Sequence, residues 1–299
     1  MANTAEIKSR MVSIAETKKV TDAMYMISSV KMRRAKREHE NSNHFYNALE
    51  NQISQLIKHI PENKNRYFHA DLPEGKEHYR RGILLVTSDK GLAGAYNQTA
   101  IKIAEEYMSL HPETLLFIVG EYGRQYFKNR KIPFVEDFNF SAAFPSVWDA
   151  EKICYSLLHY YDNGELDEIN MIFTDYMGAK PGICKRKVLL PLDKSTFFSE
   201  NTEEKPFKEF FPDAVTVLNG IVPSYLTGFI YSSLVDSYCS EQQTRMLAMS
   251  TAGKNADEML KKLKSQYNSL RQSGITSEMI EIISGVNAQK SKKKTNLGG

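Results

Sequence analysis

The chain has 299 residues, and its 39 Lys and Arg against 36 Asp and Glu leave a net charge of +3. That length sets a prior of two domains with ample core, and so small a net charge excludes a general nucleic-acid binder. Three cysteines, Cys154, Cys184 and Cys239, lie far apart with no CxxC pair, which excludes a zinc or dithiol redox motif and fits a reducing compartment.

The N-terminus opens directly on a charged amphipathic pattern, with no apolar signal region. No long apolar run is evident, so no membrane span is expected, although a peripheral place in a membrane machine stays open. From Ala5 to Ile60 there is neither glycine nor proline. A stretch of roughly 55 residues without a breaker predicts one helix, about 80 Å long at 1.5 Å per residue, ending at Pro61. Alternate steps of four and three from Ile7 pass through Met11, Ile14, Lys18, Thr21, Tyr25, Ser28, Met32, Ala35, His39, Ser42, Tyr46, Leu49, Ile53 and Leu56. This is a heptad seam with two foreign members, Lys18 and His39.

The middle of the chain has α/β grammar. Strands are expected at Gly82–Thr87, Leu115–Val119, Ile169–Thr174 and Lys187–Leu190, and helices at Tyr96–Leu110, Glu121–Arg130 and Trp148–Tyr161. Such alternation predicts βαβ units and a mostly parallel, Rossmann-like sheet. Residues 193–212 read as a loop.

After Pro223 no proline follows, and Met246, Met249, Gly253, Ala256, Leu260, Leu263, Tyr267, Leu270 and Gly274 keep the three-four spacing. Glycine on a seam lets a partner helix approach closely. Two long helices flanking a compact unit pair most simply as an antiparallel coiled coil. Beyond Gly274 the ladder reaches Ser277 and Glu281, so one helix is expected to continue alone, with paired residue numbers summing to roughly 270–280. Met24 then falls opposite Met246–Ala256. The expected division is a coil helix over 1–60, an inserted α/β domain over 61–222, a second coil helix over 223–288 and a disordered polar tail over 289–299.

Ser88-Asp89-Lys90-Gly91-Leu92-Ala93-Gly94 sits where a strand meets a helix, the place where a nucleotide-binding fold docks phosphate. It matches neither GxGxxG nor GxxxxGK[ST], so Ser88, Asp89, Gly91 and Gly94 read as a structural turn, with Asp89 capping it. The seven histidines show no metal spacing, no GxSxG occurs, and no carboxylate pair stands out. No catalytic residue, cofactor or metal ligand is therefore expected. Lys31, Arg33, Arg34, Lys36 and Arg37 crowd seven positions of the first helix but point around most of its circumference. That spread suits a partner facing the helix from several sides, or a solvated helix, better than a groove-reading stripe. Two other readings remain at this point, an α/β nucleotide-binding enzyme with helical arms and a basic coiled-coil scaffold.

Three separated motifs carry a resemblance. Ile7, Arg10, Thr17, Lys19, Thr21, Ala23, Met24 and Met26 are similar to the opening helix of the gamma subunits of F-type ATP synthases. Ser88-Asp89-Lys90-Gly91-Leu92, then Gly94, Tyr96 and Asn97, resembles that family's S-D-x-G-L-C-G-x-[FY]-N, with Ala93 in place of its common Cys. Ser240-Glu241, Arg245-Met246 and Ala248-Met249 resemble its S-E-x-x-x-R-M-x-A-M, and the segment Tyr267–Ala288 resembles its ending. The resemblance implies a central rotor stalk, one copy inside a ring of alternating alpha and beta subunits. Its α/β domain then rests with the epsilon subunit on the ring of c subunits. It implies coupling of ion flow to ATP chemistry on beta, no catalysis in the chain itself, and a peripheral place on the cytoplasmic face of a bacterial membrane. By the same resemblance Lys19, Met24, Arg245, Gln272, Thr276 and Glu278 serve the coupling contacts with beta, and Lys31, Arg33 and Arg34 form a basic band facing partners.

Overall fold

The computed structural model describes residues 4–57, 67–68, 79–178, 180–193, 197, 211 and 213–295, with the side chains of 41–47 and 288–295 left out. Pro61, the expected end of the first helix, and most of the expected loop over 193–212 lie outside the described residues.

Nine elements follow in order: α1 (Thr4–Ile57), β1 (Arg81–Val86), α2 (Tyr96–Leu110), β2 (Leu115–Val119), α3 (Glu121–Asn129), α4 (Val147–Asp162), β3 (Glu168–Asp175), β4 (Ile183–Leu190) and α5 (Ala214–Thr295). Two compact units result, one of Met1–Met26 with Met249–Gly299, the other Ile27–Ala248.

In the larger unit the sheet order is β2-β1-β3-β4, parallel except for the antiparallel β3–β4 pair. Alternate side chains of the central strands face opposite layers. Ile83 and Leu85 of β1, Leu116 and Ile118 of β2 and Ile172 of β3 pack with Ala100, Ile101, Ala104 and Phe127 of α2 and α3. Leu84, Val86, Phe117, Val119, Met171 and Phe173 pack on the other face with Ile153 and Leu157 of α4 and with Leu226, Phe229 and Ile230 of α5. Strands buried on both faces read as unbroken apolar runs, which is why GILLV and LLFIV stood out. The fourth strand starts earlier than expected. Its middle carries Lys185, Arg186 and Lys187 along the sheet edge, the first two exposed, so pairing with β3 defines it and apolar content does not.

The last helix also departs from expectation. It begins at Ala214, with Pro223 inside it rather than ahead of it. Leu218, Val222, Tyr225 and Leu226 are buried on either side of that proline, so packing offsets the lost backbone hydrogen bond. By length and composition this stretch is apolar enough to cross a bilayer, contrary to the reading that no such run exists, yet its apolar side chains belong to the core. At the far end the helix runs to Thr295 where a disordered tail was expected. No glycine or proline interrupts Val286–Thr295, and Lys, Gln and Ala favour the helix.

In the smaller unit α1 and α5 run antiparallel. Met249, Gly253, Ala256, Leu260, Leu263, Tyr267 and Leu270 are among the less exposed positions of this part of α5, and everything from Arg271 to Asn287 is exposed. Lys18 Nζ meets Asp257 Oδ1 at 2.7 Å. A Cβ on Gly253 would stand 3.2 Å from Asp22 Oδ1, so this glycine does allow close approach. Both pairs have numbers adding to 275, inside the expected window. Among the described residues nothing lies within 4 Å of a Cβ placed on Gly274. The seam of α1 also shifts, with Tyr25 exposed and Met24 partly covered in its place.

Candidate functional site

The order β2-β1-β3 places the end of β1 at the point where the chain's crossovers reverse direction, the usual ligand position in an open α/β sheet. Ser88–Gly94 occupies it. Ser88 Oγ donates to Lys90 O at 2.7 Å and accepts from Asn97 Nδ2 at 2.7 Å, while Ser88 N donates to Asn97 Oδ1 at 2.9 Å. Ser88 and Asn97 thereby tie the loop to the first turn of α2. The backbone turns through left-handed conformations at Leu92 and Gly94.

Asp89 does something the sequence reading missed. Its carboxylate reaches the adjacent loops rather than capping its own turn. Oδ1 accepts from the backbone N of Glu121 and Ala142, each at 3.1 Å. Oδ2 accepts from Ser141 Oγ at 2.6 Å and Ala143 N at 3.1 Å. In a parallel sheet the loops after β1 and β2 are neighbours, so this side chain caps α3 across the gap. A phosphate at a strand end needs backbone N–H donors and a helix N-terminus. Here the protein's own carboxylate already occupies such donors. Gly120, with φ of 96°, starts α3 so close to Thr87 that any Cβ would strike the Thr87 carbonyl.

From the other side Arg245 of α5 closes the loop. Its Nη2 donates to Lys90 O at 2.9 Å and Gly91 O at 3.1 Å, and its Nη1 pairs with Glu241, one turn back. Both side chains are 7 % exposed. Burial pushes the Glu241 carboxyl up, and Arg245 pulls it back. Loop carbonyls and a buried carboxylate thus share one guanidinium, whose planar fork reaches both.

The remaining expected residues are placed as follows. Lys19 is exposed and pairs with Glu16 at 2.8 Å, Met24 is half-covered in the helix pair, and Gln272, Thr276 and Glu278 are exposed. Lys31 Nζ and Arg34 Cζ lie 5.3 and 5.4 Å from the Phe144 ring, while Arg33 is exposed. Two of the three basic-band residues are therefore engaged by a loop of the α/β domain itself. Among the described residues no group of three or more His, Cys, Asp or Glu could hold a metal. A cavity of about 690 Å³ beside β4 and α5 has apolar walls including Phe68, Leu189 and Phe229. Two of its polar members are engaged within the chain, Glu168 with the Tyr107 hydroxyl at 2.9 Å and Arg186 with Asn170 Oδ1 at 2.6 Å.

Comparison with known proteins agrees with this architecture. The family model described as ATP synthase matches residues 3–289. The ATP synthase gamma chain of Caldanaerobacter subterraneus subsp. tengcongensis is 39% identical over 291 residues, covering 94% of this chain and 98% of that protein. That of Acetivibrio thermocellus is 35% identical over 300 residues, covering 97% and 100%. Among solved structures, a chain of the Euglena gracilis mitochondrial ATP synthase superposes with a TM-score of 0.64 at 14% identity, covering 97% of this chain and 96% of that one, a likeness of fold. Whole-length matches at these identities mean that the chain belongs to the family of ATP synthase gamma chains.

Proposed function

We propose that this chain is the central rotor stalk of an F-type ATP synthase and is itself non-catalytic. It stands as one copy inside the ring of alternating alpha and beta subunits. Its α/β domain meets the epsilon subunit and the ring of c subunits at the cytoplasmic face of a bacterial membrane. Ion flow turns the shaft, and its asymmetry forces the beta subunits through different states in turn.

The observation that carries the reading is the end of α5. Ile275, Met279, Ile280, Ile282, Ile283 and Val286 are all exposed on a helix that has outrun its partner. Single exposed apolar residues are ordinary, but a helix apolar over several turns without cover among the described residues fits a sleeve supplied by other subunits. Lys19, Met24, Gln272, Thr276 and Glu278 lie on exposed or half-covered faces of the helix pair, as contact residues must. Arg245 is buried, so its part in coupling is to hold the Ser88–Gly94 loop on α5. The switch-point loop leaves its phosphate donors filled by Asp89, which fits a chain that does no nucleotide chemistry.

Mixing the full chain with the alpha and beta subunits of a related enzyme tests this. The expected product is a hexamer holding one copy of the chain by native mass, with ATP hydrolysis that depends on the chain. A chain that stays outside the hexamer overturns the reading.

A further inference from the structure

His39 is one of the two foreign residues on the α1 seam, and the structure gives it a specific partner. Its Nδ1 lies 2.5 Å from Asp236 Oδ1 of α5, with the two side chains 21 and 11 % exposed. Behind Asp236 is the carboxyl of Asp175 at the end of β3, whose negative charge acts on it. Asp175 in turn holds Lys185 of β4 at 2.5 Å. The Tyr176 ring packs edge-on against His39 at 5.3 Å, Glu40 acts on His39 from α1 itself, and Cys239 lies near Asp236 on α5. Beside them Ala35, Val235, Tyr238 and Cys239 form an apolar cluster. Two carboxyls, an imidazole and an ammonium thus join α1, α5, β3 and β4 at one place.

We propose that His39 and Asp236, backed by Asp175, form a proton-loaded clasp that fastens α1 to α5 and to the sheet, and that loosens when its single proton leaves. The proton lies on the line between Nδ1 and Oδ1, and either tautomer leaves the pair neutral overall. Without it a buried Asp236 carboxylate faces Asp175, with the partly exposed Lys185 ammonium paired to Asp175 and Lys187 acting on Asp175 from the same strand.

Burial, reinforced by Asp175, pushes the Asp236 carboxyl up to about 8, and burial lowers His39. When the helices part, the two groups return to ordinary values of 3.8 and 6.5. Just below 6.5 the open pair also carries one proton, on His39, so pH has little leverage there. Above 6.5 the open pair carries none while the closed pair keeps its proton up to about 8. Opening then releases a proton and becomes about tenfold easier per pH unit, roughly 30-fold across the window, and levels off beyond it.

Hydrogen exchange read by mass spectrometry on the assembled enzyme tests this, with peptides over 33–40 and 230–238 followed from about pH 5.5 to 9 and corrected for the intrinsic exchange rate. The expected profile is flat to about pH 6.5, falls roughly 30-fold in protection by about pH 8, then flattens, while peptides around Lys18 and Asp257 show no such step. Asp236→Asn has no proton to lose and should be flat above pH 6.5. In His39→Gln the proton belongs to Asp236 alone, so the fall should already be under way at pH 5.5. A wild-type profile flat through the window overturns the clasp, as does the same fall in Asp236→Asn. If that variant does not assemble, a fall in His39→Gln that still begins near pH 6.5 overturns it equally.

Discussion

Lys18 of α1 holds Asp257 of α5 at 2.7 Å, and His39 holds Asp236 at 2.5 Å; each pair has residue numbers adding to 275. The two basic members of the α1 seam are each answered by an aspartate on α5. A polar residue at a seam position costs stability but specifies register, and here both specify the same one.

Register is testable by cross-linking. Cysteines at Asp22 and Gly253 stand on facing positions with the Gly253 Cβ site 3.2 Å from the Asp22 carboxylate. Mild oxidation should join them almost completely. A pair moved by two turns, Asp22→Cys with Leu260→Cys, should stay reduced, because Cα atoms more than about 7 Å apart do not bridge. Equal yields from both pairs would mean that the coil slides.

Arg245→Ala leaves Glu241 buried without its cation and strips the Lys90 and Gly91 carbonyls of their donor. A broken buried pair costs about 3–5 kcal/mol. The double variant Glu241→Gln with Arg245→Met should recover much of that, because no buried charge remains. Denaturant midpoints of the three proteins decide the matter, and a double variant no better than Arg245→Ala contradicts it.

The isolated chain should neither bind nor hydrolyse ATP. Calorimetry with ATP and magnesium should show no heat of binding, since Asp89 fills the backbone donors at the switch point. Asp89→Asn keeps one acceptor oxygen and should cost about 2 kcal/mol of stability. Micromolar ATP binding that vanishes on changing Asp89 and Lys90 to alanine would revive a nucleotide site.

Much of this was legible in the sequence, for identifiable reasons. The seam positions from Met249 to Leu270 showed because apolar spacing and burial coincide there, and β1 and β2 showed because burial on both faces leaves them wholly apolar. The start of β4 was hidden because an edge strand bears charge. The start of α5 was hidden because Pro223 reads locally as a breaker, while the packing that tolerates it comes from distant strands. Asp89 and Arg245 were visible as motif members, but their partners lie 32 and 154 positions away, beyond any local pattern.

Met24→Lys should place a charge on a half-covered face of the helix pair, where an added ion pair with a beta subunit would hold one angle too strongly. In the assembled enzyme ATP hydrolysis should be largely retained while ion pumping falls severalfold. Pumping and hydrolysis that fall in strict proportion would contradict a coupling role for this residue.

The most direct measurement is rotation itself. With the alpha and beta ring fixed to a surface and a probe attached to the α/β domain of this chain, ATP should drive one-directional turning with three evenly spaced stops per revolution, one for each beta subunit. A chain that stays at a fixed angle while the ring hydrolyses ATP would contradict the account.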